Sequence, residues 1–171
     1  MRRVSSEPRQ NMHDRARETG FECITVDGEP YWDESAYYAF TLKQIEDDIE
    51  GPSGELAAMC LELVDRIVSD EQMLRCLKIP RHAWDLIAGS WRRRDPTLYG
   101  RFDLAYDGRK PARLLEFNAD TPTALFEAAV FQWIWLEDAI ALSIVPAGAD
   151  QASSTRCMTS SLLVSRTSAR R

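Results

Sequence analysis

The chain has 171 residues, 44% of them hydrophobic, enough to fill the core of one globular domain and too many for a disordered chain. Its formal charge is −6, and the stretch from Ala152 to Arg171 adds arginines without a single acid, so the residues before it are more acidic still. Binding along a nucleic-acid backbone is therefore not expected, because a phosphate polymer selects basic surfaces.

Residues 1–20 are polar and charged without period, and they read as a loose lead-in able to become partly helical on docking. Phe21-Glu22-Cys23-Ile24-Thr25-Val26 alternates apolar and polar, and Asp27-Gly28-Glu29-Pro30 is turn chemistry, so a short strand running into a turn is predicted. Thr41-Leu42-Lys43-Gln44 matches a capping box, in which the threonine oxygen accepts an amide and the glutamine reaches back to the cap. The helix it starts carries Ile45, Ile49, Leu56, Met59, Leu63 and Ile67 on one face, but Gly51-Pro52-Ser53-Gly54 interrupts it, and a kink or break is expected near Pro52. Further helices are predicted over about 70–77 and 80–89, the first stopped by Pro80. Ser90-Trp91-Arg92-Arg93-Arg94 reads as a solvated basic face, with phosphate contact as the less favoured alternative.

The four cysteines, Cys23, Cys60, Cys76 and Cys157, form no CxxC pair, and His13 and His82 stand alone, so no zinc cluster is expected. Cys60 and Cys76 sit in apolar helical settings and read as buried thiols. The residues after Met1 lack the apolar run of a signal peptide, and no segment is apolar for long enough to span a bilayer. A cytoplasmic protein with reduced thiols and no membrane partner is the expectation.

The segment Tyr99 to Asp120 carries the chemistry. Two alternating runs, Gly100-Arg101-Phe102-Asp103-Leu104-Ala105 and Ala112-Arg113-Leu114-Leu115-Glu116-Phe117-Asn118, flank Asp107-Gly108-Arg109-Lys110-Pro111, a β-hairpin signature. With a four-residue loop from Gly108 to Pro111, Asp107 falls opposite Ala112, Asp103 opposite Glu116 and Arg101 opposite Asn118. Leu114, Glu116 and Asn118 would then share one face, and Phe102, Leu104, Leu115 and Phe117 the other. Opposed side chains lie about 5 Å apart at Cβ, and two carboxylates that close repel unless a cation lies between them. A hard divalent ion suits two carboxylates and an amide oxygen, and Arg101 beside it could hold a phosphate. On spacing alone the plainer alternative stays open, in which Arg101 neutralises Asp103 and Glu116 on a solvated face. A helix is predicted from Thr121 or Thr123, with Pro122 in its first turn and its free amides aimed at the same face; the threonine could equally be an ordinary N-cap. Phe126, Val130, Trp133 and Ile134 are its predicted core positions.

The sequence resembles the synthetase part of the glutathionylspermidine synthase family. The matching features are Pro30-Tyr31-Trp32 with Tyr37-Tyr38, Glu55-Leu56 with Val64-Asp65, Ser90-Trp91, Gly100-Arg101-Phe102-Asp103 and Glu116-Phe117-Asn118-Ala119-Asp120-Thr121, the last two being the most specific. They run in order over about residues 21–151. The resemblance implies an ATP-grasp-type fold and a ligase that phosphorylates a carboxylate with ATP and lets an amine displace the phosphate. It implies that Asp103, Glu116 and Asn118 ligate magnesium (Mg2+), and that Arg101 contacts phosphate in the transition state. It further implies that Arg101, Phe102 and Asp103 touch the nucleotide and that Thr121 lies near a glutathione site.

The expected architecture is α+β, with helices packed on a β-hairpin or small antiparallel sheet as part of an ATP-grasp-like domain. Three regions are expected: the lead-in at 1–20, the ligase-like domain at 21–151, and a disordered or frameshifted tail at 152–171, rich in serine, threonine and arginine. Family members are more than twice this length and hold their nucleotide clamp and lid in later residues. A truncated ligase, inactive alone, is therefore expected, with a glutathione-like carboxylate and a polyamine-like amine as its small-molecule substrates. The rival is a non-enzymatic metal- or anion-binding fragment, or one half of a ligase completed by a separate carboxy-terminal half.

Overall fold

The computed structural model describes residues 1–97, 99–120 and 123–146. In chain order it holds β1 (Arg2–Ser5), α1 (Met12–Thr19), β2 (Thr25–Val26), β3 (Glu29–Pro30) and β4 (Ala36–Ala39). A π-helical segment (Gln44–Glu50) leads into α2 (Gly51–Ile67), followed by α3 (Glu71–Cys76), a 3-10 turn (Arg81–Ala83) and α4 (Trp84–Arg93). Strands β5 (Arg101–Ala105) and β6 (Arg113–Asn118) come next, then a second π-helical segment (Glu127–Phe131) and α5 (Gln132–Ala141). The mixture of helices and small antiparallel sheets is α+β, as expected. The chain divides into two units: Phe40–Pro122 with Met1, and Arg2–Ala39 with the residues from Thr123 on.

The second unit is built from both ends of the described chain. Strand β1 pairs antiparallel with β4, Arg2 opposite Ala39 and Ser5 opposite Ala36. Residues 1–20, expected as a loose lead-in, thus hold a strand and a helix, and Ala16 of α1 is buried. What orders them is charge. The side chain of Arg9, wholly buried, donates from Nη2 to Glu34 Oε1 at 2.6 Å and from Nη1 to Asp138 Oδ2 at 2.8 Å. Arg15 donates from Nη2 to Asp138 Oδ1 at 3.0 Å, and the Trp32 indole donates to Glu34 Oε1 at 2.9 Å. Beside this network Phe21 packs against Trp32, Phe126 and Phe131. Of the predicted turn, Asp27 and Gly28 join β2 to β3, both taking positive φ, while Glu29 and Pro30 form β3 itself; the predicted strand over 21–26 is paired at Thr25–Val26.

Helical residues begin at Leu125, after Ala124 in the left-handed region, rather than at Thr123. Of the four predicted core positions, Val130, Trp133 and Ile134 are half-buried and Phe126 is 38% exposed though stacked on Phe21, while Phe131 and Ala139 are the fully buried residues of this stretch. The wider π-helical turn explains the change, since one extra residue per turn shifts which side chains face inward.

In the first unit the capping box forms as predicted. Thr41 N donates to Gln44 Oε1 at 3.1 Å, and Gln44 N donates to Thr41 Oγ1 at 3.2 Å. The chain then stays helical through Pro52, so there is no break; near the proline the hydrogen-bond spacing changes from π to α at Gly51, and Pro52 is the second residue of α2. Asp70 caps α3, accepting from Gln72 N and Met73 N. Helix α4 runs four residues past its predicted end, to Arg93, and Arg94 closes it in the left-handed conformation. Its arginines are solvated: Arg93 pairs with Asp95 at 2.6 Å, and Arg92 Nε donates to the Ala88 carbonyl. Cys60 is half-buried and Cys76 exposed, so the latter is no buried thiol. Helices α2 and α4 border a groove of about 920 Å³ lined by Leu61, Val64, Leu86, Ile87 and Trp91. The Trp91 indole donates to Asp65 Oδ1 there at 2.6 Å. No described helix is long and apolar enough to cross a membrane.

Candidate functional site

Strands β5 and β6 pair antiparallel, with Arg101 opposite Asn118, Phe102 opposite Phe117 and Asp103 opposite Glu116. Cross-strand partners share a face, so the four polar side chains stand on one side of the ribbon. Phe102 and Phe117 stand on the other, their ring centroids 4.5 Å apart. The two acids therefore oppose each other as the alternation predicts.

Towards the loop the register differs from the prediction. Leu104 lies opposite Leu114 and Ala105 opposite Arg113, a shift of one residue between Asp103 and Leu104. Leu115, 70% exposed, is the extra residue of a bulge, and Leu114 takes the place opposite Leu104 instead of joining the Glu116 face. Asp107 anchors the loop by accepting from Arg109 N and Lys110 N, and Gly108 supplies the positive φ.

Arg101 donates to Asp103 in a fork, from Nε to Oδ1 at 2.6 Å and from Nη2 to Oδ2 at 3.1 Å. Those hydrogen bonds hold the Asp103 carboxyl below the usual carboxylate range. They also raise Arg101, to which the charge of Glu116 adds. Both ions are thus fully charged near neutrality. Asn118 Oδ1 accepts the Asp120 amide at 3.1 Å, which fixes the side-chain oxygen on the strand end. Glu116 is exposed. Thr121 lies outside the described residues.

Among the described residues no group of three His, Cys, Asp or Glu side chains could hold a metal. Among the described residues of this face, a cation would have Asp103, Glu116 and the amide oxygen of Asn118. That set is all hard oxygen, and each carboxylate oxygen keeps a second lone pair beyond the one Arg101 uses. It fits an ion that retains several waters, as magnesium does, and does not fit zinc or copper.

Gly100, in the motif Gly100-Arg101-Phe102-Asp103, has a packing role that the motif alone did not reveal. A Cβ built there would lie 2.6 Å from the Phe117 ring, so only glycine lets that ring cover the start of β5. Sequence reasoning passed over Asp48 and Tyr106. The Tyr106 hydroxyl donates to Asp48 Oδ2 at 2.5 Å, and Ala112 N donates to the Asp48 carbonyl at 2.7 Å. Partial burial, with the Asp48 hydrogen bond, pushes the Tyr106 phenol up to about 12. The available signal was Pro52: in an α-helix the carbonyl of residue 48 would accept from residue 52, and proline has no N–H to give.

Residues 3–157 match the family model described as glutathionylspermidine synthase preATP-grasp. A Haemophilus influenzae protein described as "Putative acid--amine ligase" is 42% identical over 143 residues, covering 80% of this chain and 35% of that protein. The trypanothione synthetase of Crithidia fasciculata is 32% identical over 78 residues, covering 45% of this chain and 12% of that protein. The bifunctional glutathionylspermidine synthetase/amidase of Escherichia coli is 31% identical over 102 residues, covering 59% of this chain and 16% of that protein. The chain thus spans about a third of the length of the first of these relatives and less of the others.

Proposed function

This chain belongs to the glutathionylspermidine synthase family through its preATP-grasp domain, and from that premise we propose that it carries the magnesium- and phosphate-holding hairpin of an ATP-dependent acid–amine ligase. The observation that carries this reading is the register, which sets Asp103 opposite Glu116 and Arg101 opposite Asn118. The fold is read as part of an ATP-grasp-like domain, and the substrates as a glutathione-like carboxylate and a polyamine-like amine, after the names of the relatives.

Asp103, Glu116 and Asn118 would present their oxygens to Mg2+. Bound there, the ion neutralises charge on the transferring phosphoryl group. Arg101 would exchange its hold on Asp103 for the phosphate oxygens, which its planar donors match in pairs. Phe102 and Asp103 would border the nucleotide, and Thr121 the acid substrate. A carboxylate already ionised and a guanidinium already charged need no proton movement to begin binding.

One observation favours a second reading. Arg101 forks both oxygens of Asp103, as it would on a hairpin whose charges are only structural. Calorimetry of the chain with magnesium and ATP, repeated on Asp103→Ala, separates the two. The ligase reading expects saturable, magnesium-dependent binding that weakens more than about tenfold in the variant. Heats identical in the two proteins would leave only structural charges.

A further inference from the structure

The loop end of the hairpin is held from outside by the π-helical segment. Gln44, whose Oε1 already accepts from Thr41 N, donates from Nε2 to the Gly108 carbonyl at 2.9 Å. Asp48 accepts twice, through its carboxylate from the Tyr106 hydroxyl at 2.5 Å and through its carbonyl from Ala112 N at 2.7 Å. The Tyr106 ring also stacks on Phe40, centroids 6.1 Å apart. These bonds reach Tyr106 just past β5, Gly108 in the loop, and Ala112, which is buried, just before β6.

The held end has its own register. Continued unchanged from Leu104–Leu114, it would set Asp103 opposite Leu115 and Phe102 opposite Glu116, moving Glu116 to the apolar face. The bulge at Leu115 absorbs that one residue. A bulge bends its strand and increases local twist, and this one immediately precedes Glu116.

We propose that Asp48 and Tyr106 are positioning residues for the acidic face: they lock the loop end out of step with the site end, which imposes the bulge at Leu115 that aims Glu116 beside Asp103. Pro52 is the device that makes this possible. Proline has no N–H to offer the turn before it, and the Asp48 carbonyl accepts from Ala112 N instead. The significance for binding rests on the ligase reading above; the clamp itself does not.

The experiment uses the full chain and three variants, Tyr106→Phe, Asp48→Asn and Pro52→Ala, with two readouts. Hydrogen exchange over peptides spanning 101–105 and 113–118 reads the clamp, and calorimetric affinity for magnesium with ATP reads the aim of the acids. Tyr106→Phe keeps the ring on Phe40 and loses one hydrogen bond, so hairpin exchange is expected to speed up about fivefold. Asp48→Asn keeps an acceptor for the phenol and is expected to stay close to wild type. Pro52→Ala is the decisive variant, because it strengthens the helix while returning a donor that competes for the Asp48 carbonyl. It is expected to speed hairpin exchange and weaken binding despite equal or greater thermal stability. Wild-type exchange in both Tyr106→Phe and Pro52→Ala overturns the clamp, as does loosening in Asp48→Asn equal to that in Tyr106→Phe. Unchanged affinity in variants whose hairpins have loosened overturns the positioning role. If the wild type itself does not bind magnesium with ATP, the ligase reading fails, and exchange alone decides the clamp.

Discussion

At Gly100 a single hydrogen atom decides how tightly the hairpin closes. A Cβ there would lie 2.6 and 3.1 Å from two carbons of the Phe117 ring but only at ordinary contact, 3.4 Å, from the Asn118 carbonyl, so it is the ring that must yield. Gly100→Ala is expected to destabilise the chain by about 1–3 kcal/mol, the usual cost of overpacking, as read from the urea midpoint. Combining it with Phe117→Leu should recover part of that loss, because the smaller side chain clears the space; no recovery would mean that strand strain dominates. At this scale much of the candidate site was legible. Alternation along two short runs suffices to put Asp103, Glu116, Arg101 and Asn118 on one face, because side-chain direction in a strand depends only on neighbouring residues. Leu115 was not legible, since the loop-end register that leaves it over is set by Asp48 and Gln44, more than sixty residues away in sequence from Ala112 and Gly108 respectively.

Among the elements, β1 and α1 were the least readable. Their stretch of sequence has no apolar period because much of what it buries is charge: Arg9 is matched by Glu34, twenty-five residues on, and by Asp138, 129 residues on. Arg9→Met is expected to cost about 3–5 kcal/mol in chemical denaturation, because it strands buried Glu34 without its cation. A double change, Arg9→Met with Glu34→Leu, should cost less than the single one, which checks that the penalty is desolvation rather than lost packing. Acid should act on the same network. Burial alone would raise Asp138, but hydrogen bonds from Arg15 and Arg9 outweigh it and hold the carboxyl below its ordinary value. A depressed carboxyl contributes stability that is complete above its unfolded value, about 3.9, and is lost as pH falls through the lower folded one. The thermal midpoint should therefore drop below about pH 4, and Asp138→Asn, already lower at neutral pH, should show a shallower acid fall.

For the molecule as a whole, the described residues form two compact units, one of which joins Arg2–Ala39 to the described residues from Thr123 on. The chain corresponds to about a third of the length of the Haemophilus influenzae relative. Given magnesium, ATP, glutathione and spermidine, this 171-residue chain is expected to bind without releasing ADP above a protein-free control; steady turnover would show that these residues suffice for catalysis. The sequence by itself determined what depends on neighbours a few residues apart: the Thr41–Gln44 box, the turn through Asp27 and Gly28, and the two-faced hairpin. Only the tertiary structure decided the π-helical turns with their shifted inward faces, the bulge at Leu115 and the burial of Arg9 with Glu34. Each of these is a choice between local states that differ by little, settled by a hydrogen bond or ion pair to a residue distant in the chain, and no local pattern records where such a partner will be.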